Sequence, residues 1–138
     1  MQKADTTSNE KPAQGTVDDV VIPAWFSLLV GLLMAAQWVF FLVTGQVPEL
    51  HTAPIRIAFH LVAESVTAVS LMIAGMGLLR KKSWGRSAGL FAHGLLVYTV
   101  VVSPGYFAQA GEWPMVAMFC VLVILAAASV AVLARVEP

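Results

Sequence analysis

Beyond residue 20 the chain is written almost entirely in apolar residues, broken at three places. Four runs result, covering residues 22–44, 54–79, 84–103 and 113–134. A helix needs about 20 apolar residues to cross ~30 Å of hydrocarbon, and every run is that long. The pattern predicts an all-α fold: an integral membrane four-helix transmembrane bundle over residues 21–138. Short links make consecutive helices neighbours. Residues 1–20 are polar and poor in bulky apolar side chains, so a disordered tail is expected there. The first run starts late, has no basic stretch directly before it and exceeds the length of a signal-peptide core. It is expected to remain as the first helix.

Composition narrows the function classes. Of the 138 residues, 59% are hydrophobic and only 12% charged, against about 25% charged in ordinary soluble domains. Mean hydropathy is +0.81. The formal net charge is zero, which gives a nucleic-acid partner no electrostatic support. The single cysteine, Cys120, cannot form an intrachain disulfide and reads as a buried small hydrophobe. No CxxC or paired Cys/His metal spacing occurs. The chain shows no catalytic motif and no extramembrane segment long enough for a domain. It is not expected to be an enzyme on its own.

Basic residues set the expected topology. Arg80, Lys81, Lys82 and Arg86 cluster around the link between the second and third helices. The other two links contain no Lys or Arg, while Lys3 and Lys11 precede the first helix and Arg135 ends the fourth. In short loops such residues stay on the cytoplasmic side. Both termini are therefore expected to be cytoplasmic, in an inner (cytoplasmic) membrane. Trp25 and Trp84 fall near the inner ends and Trp113 near an outer end, where indoles favour the interface. Trp38 is deeper and is expected to pack between helices. Pro104 and Gly105 read as a turn closing the third helix, with Tyr106 and Phe107 dipping back to the membrane surface. Pro114 suits the first turn of the fourth helix, where its missing N–H costs nothing.

Small residues recur where helices should meet: Gly31 and Ala35, Ala74, Gly75 and Gly77, Gly85 and Gly89, and an alanine-rich stretch from 126 to 131. They allow close backbone approach. The reading is a tight inner half, with any cavity in the outer half.

The chemistry concentrates on the second helix. Arg56, His60 and Glu64 recur every four residues and Thr67 follows, on one helical face. Arg56 is near enough to the outer interface to snorkel as an anchor. Glu64 is only ~4–5 Å from the helix midpoint by rise. A carboxyl at that depth marks a functional site by default. His93 falls at the middle of the third helix and Gln37 at similar depth on the first. Gln37, Glu64 and His93 are expected to form one hydrogen-bonded layer, with His60 a turn further out. Tyr98 lines a wider cavity or faces a subunit partner.

These groups suit a ligand-binding or proton-handling site. One reading is an accessory or assembly subunit holding a quinone-like or other small amphipathic molecule. A second is a proton-coupled small-molecule transporter acting as an oligomer. A third is a haem or metal protein using His60, Glu64 and His93, although no HExxH-type spacing occurs. A purely structural role is the fourth. The identity of any cofactor stays open. The expected partners are the lipid bilayer and a second copy or larger membrane complex, with the fourth helix as contact surface.

Overall fold

The computed structural model describes residues 19–136. The expected tail therefore lies, but for its last two residues, outside the described part. The elements are α1 (Val21–Val43), α2 (Glu49–Thr52), α3 (Pro54–Leu79), α4 (Gly85–Val102), α5 (Pro104–Gln109) and α6 (Trp113–Arg135). Four spans, with α4 and α5 counted together as Gly85–Gln109, are long and apolar enough to cross a membrane. The fold is all-α, and the long helices start and stop within two residues of the predicted bounds.

The distribution of side chains is that of a membrane protein. Ile22 and Val43 are about four-fifths exposed (79% and 80%), and Phe59, Phe91 and Ile124 also face outward. Ser27, Glu64, Thr67, His93, Thr99 and Ser129 are buried instead. Apolar side chains outside and polar ones inside suit a hydrocarbon solvent, where an unpaired polar group is costly. The chain is a small multi-pass helical membrane protein.

Helix ends are built locally. After α1, Gly45 takes a positive φ of 67°, and the Gln46 N–H reaches the Phe41 carbonyl at 2.9 Å. Gly111 does the same after α5, with Glu112 N–H on Phe107 O. Both are Schellman closures, which need a left-handed residue just past the helix. The third such closure follows α3: Lys82 N–H bonds Gly77 O at 2.9 Å. There the left-handed position, φ 50°, belongs to Lys81.

Packing follows chain order. α1 lies on α3, α3 on α4, and α4 on α6, while α1 meets α4 and α6 only sparsely. Glycines let α1 and α3 approach closely at two points. A Cβ on Gly31 would sit 2.8 Å from Ala68 O, and one on Gly75 2.8 Å from Ala24 O. The α1–α3 seam is thus backbone against backbone. At the base of α3 the Trp84 ring covers Gly77, and Gly85 abuts the Gly77 carbonyl. Arg86 crosses to α6, where its Nε donates to Leu133 O (2.9 Å) and Nη2 to Ala134 O (3.3 Å). It satisfies carbonyls that the end of α6 leaves open.

Four readings need correction. Pro104 and Gly105 do not turn the chain: they open α5, because Ser103 before them keeps right-handed helical angles. Cys120 is exposed rather than buried, since α6 turns Ala126, Ser129 and Leu133 inward. For the same reason Ala127, Ala128 and Ala131 face outward. A groove of about 150 Å³ lies between α1 and α6 at the Asp19 end, not in the outer half. It arises where α1 fails to close on α6.

Candidate functional site

Glu64 is buried on α3, with 9% of its surface exposed. Its carboxyl Oε1 lies 4.0 Å from Nε2 of His60, one turn earlier. The Trp38 indole N–H faces the same carboxylate from α1. Trp38 also meets the His60 ring edge-on, with centroids 5.6 Å apart. One carboxyl, one imidazole and one indole therefore share the α1–α3 boundary. The α1–α3 register produces this: Gly31 packs on Ala68, so two turns outward on α1 reaches the level of His60 and Glu64. The His60 side chain is 42% exposed, so the cluster opens at the outer surface of the helices rather than into the bundle.

The remaining stripe residues separate because a four-residue step advances a helix by 400°, leaving a 40° drift per step. Over two steps Arg56 turns away from Glu64 and is exposed. Its charge opposes those of Glu49 and Glu112 at the Tyr106 hydroxyl. Thr67 is buried, but its hydroxyl donates to Ala63 O at 2.9 Å within its own helix.

His93 is fully buried on α4. Its Nδ1 lies 2.8 Å from Gly89 O, and its ring stacks on Phe26 with centroids 5.8 Å apart. A carbonyl can only accept, so Nδ1 carries a proton and donates to it. The ring's Nε2 has no hydrogen-bond partner.

No hydrogen bond or ion pair joins His93 to Glu64 among the described residues. Side chains lean toward the N-terminus of their own helix. α3 and α4 are antiparallel, so Glu64 leans toward Trp38 while His93 leans toward Gly89 and Phe26. Gln37 does not join either group, being exposed, one residue and about 100° from the inward-turned Trp38. Tyr98 is exposed as well. The expected single layer is thus resolved into a cluster at α1–α3 and a separate buried imidazole. Among the described residues no group of three or more His, Cys, Asp or Glu could hold a metal ion.

Phe26 escaped the sequence reading as the ring stacked on His93, and Ser129 as a buried polar residue of α6. Ser129 had a signal: with Ala126 and Leu133 it keeps a 3–4 spacing on an otherwise apolar helix. Phe26 had none.

A family described as a domain of unknown function, DUF8058, matches residues 20–137. No curated protein and no solved structure matches the chain.

Proposed function

The chain belongs to the DUF8058 family, and from its own geometry we propose that it is an accessory or assembly subunit with an intramembrane polar site for a small amphipathic, quinone-like molecule. The observation that carries this reading is the Trp38–His60–Glu64 cluster, a buried carboxyl beside a half-open imidazole on the lipid side of a bundle. A lipid-soluble ligand would approach His60 laterally from the bilayer. His60 would bond a ligand carbonyl, Glu64 would exchange a proton with it, and Trp38 would form the wall. His93, Gln37 and Tyr98 stand outside this core.

The proposal includes cytoplasmic termini and tail, an inner-membrane location, and self-association or complex formation through α6. The basic link supports the topology. The outward-facing alanines and Cys120 of α6 support close contact with another helix. The exposed edge of His60 also favours a second reading. A neighbouring copy could complete a path there, making Glu64 the proton carrier of an oligomeric transporter.

Paired variants test both readings. Glu64→Gln preserves size and hydrogen bonding but cannot ionise, whereas Glu64→Ala removes the group. Proton exchange requires both variants to lose ligand retention or partner activity while thermal stability in detergent survives E64Q. Retention of function in both would remove the cluster as the site. Glu64-dependent flux in liposomes of purified protein would select transport over an accessory role.

A further inference from the structure

The outward side of α3 ends in charge. Val66, Val69, Ile73 and Met76 are all exposed. Their spacing of three, four and three residues sets them on one face of the helix. A further step of four reaches Arg80, which is exposed too. From Val66 to Met76 the rise is about 15 Å at 1.5 Å per residue, half of the ~30 Å of hydrocarbon in a bilayer. The apolar stripe is thus as long as one leaflet is deep, and Arg80 stands one turn beyond it, at the level of the headgroups. Glu64 belongs to another face of α3, being buried.

The link after α3 holds more charge at that level. Its backbone folds back on the helix end: Arg80 N–H bonds Met76 O at 3.0 Å, Lys82 N–H bonds Gly77 O at 2.9 Å, and Gly85 N–H bonds Lys82 O at 2.9 Å. Residues 80–84 are left exposed. The cations here differ in what they do. Arg86 is occupied by α6 carbonyls. Lys81 is engaged, as is Asp19, which Val20 carries to this end by sharing a core cluster with Leu78. Arg80 and Lys82 take part in no ion pair among the described residues. The Trp84 ring lies over Gly77 and is 48% exposed, so an indole stands beside them at the depth indoles favour.

We propose that this end of α3 is a binding site for an anionic phospholipid, with an acyl chain along the stripe of residues 66–76 and the phosphodiester on Arg80 and Lys82. The guanidinium fork matches two phosphate oxygens, and the ammonium adds a point charge. Basic residues just beyond a membrane span attract anionic headgroups. A zwitterionic headgroup brings its own cation to the phosphate and gains less from two more. The stripe and Trp84 add to binding only for a ligand that carries a chain, which selects a lipid over a soluble phosphate. The opposite end of the bundle offers no such surplus, since Arg56 stands there with Glu49 and Glu112 around Tyr106.

The test titrates phosphatidylglycerol and phosphatidylcholine with identical chains into the purified full-length protein in a non-ionic detergent, where orientation in a membrane plays no part. Native mass spectrometry reads the bound lipid. The native protein should bind phosphatidylglycerol more tightly. Arg80→Gln combined with Lys82→Gln should reduce that preference roughly ten- to thirtyfold, the worth of two cations near a headgroup. Arg56→Gln removes a cation from the opposite end and should leave the preference intact. Equal affinity of the native protein for the two lipids overturns the site, whether or not the double variant folds. A preference that survives the double variant, or that R56Q lowers comparably, overturns it as well. Soluble glycerol phosphate carries the charge without the chain and should not displace the lipid at equal concentration. Displacement by it would mark a site for free phosphate and overturn the lipid.

Discussion

Replacing Gly31 by alanine tests what holds α1 to α3. The added Cβ would lie 2.8 Å from Ala68 O, 3.0 Å from Met72 Cγ and 3.1 Å from Leu71 Cβ. Relaxed carbon–oxygen contacts begin at ~3.3 Å, so α1 must withdraw by about 0.5 Å. The nearest atom is backbone, which no rotamer change can move aside. Overpacking of this kind costs ~1–3 kcal/mol. Alanine returns ~0.5–1 kcal/mol of helix preference relative to glycine. The net loss should be about 1–2 kcal/mol. Gly94 on α4 is the control, because a Cβ there meets nothing within 4 Å. Gly94→Ala should gain ~0.5–1 kcal/mol from the same preference. Equilibrium unfolding by dodecyl sulfate in mixed micelles, followed by far-UV circular dichroism, measures both. A G31A protein as stable as G94A would refute the claim that direct backbone contact holds this seam.

Other outcomes follow from the helix ends and the α3–α4 link. Arg86→Met keeps the aliphatic stem but removes two bonds to α6 carbonyls. It should cost ~1–2 kcal/mol and speed amide exchange in the last turn of α6, with little change in α1. Gly77→Ala drives a Cβ into the Trp84 ring, and the double variant with Trp84→Ala should recover most of the lost stability. Cysteines introduced at Lys82 and Gln109 should label from opposite sides of the membrane, the first from the cytoplasm; the reverse labelling would invert the proposed topology.

The fold was legible because hydrocarbon length and helix rise leave few alternatives. The second run was located to the residue, since Pro54 opens α3 and the basic link closes it. The short helices α2 and α5 were not foreseen. Their residues are turn formers and mixed polar types, and only the helical backbone at Ser103 carries α4's direction into Pro104. The candidate site was half legible. Four-residue spacing brought His60 to Glu64, as read. The layer containing Gln37 and His93 failed for two geometric reasons. Matching depth says nothing of azimuth, and one residue separates exposed Gln37 from Trp38. Matching rise also ignores the direction in which side chains lean, which is opposite on antiparallel helices. Cys120 shows the same limit: it is exposed, and the 3–4 spacing of Ala126, Ser129 and Leu133 marks the inward face only in the second half of α6.

The grip of Arg86 on α6 bears on biogenesis. Its acceptors lie 47 and 48 residues further along the chain. At synthesis rates of about 5–20 residues per second, the guanidinium waits roughly 2–10 s for them. During that interval, on the proposed topology, it is one more positive charge in the link and helps to hold α3 and α4 in orientation as they enter the bilayer. When Leu133 and Ala134 emerge, the same group becomes the cap of α6. A single side chain then serves first as an address for the membrane and afterwards as a latch.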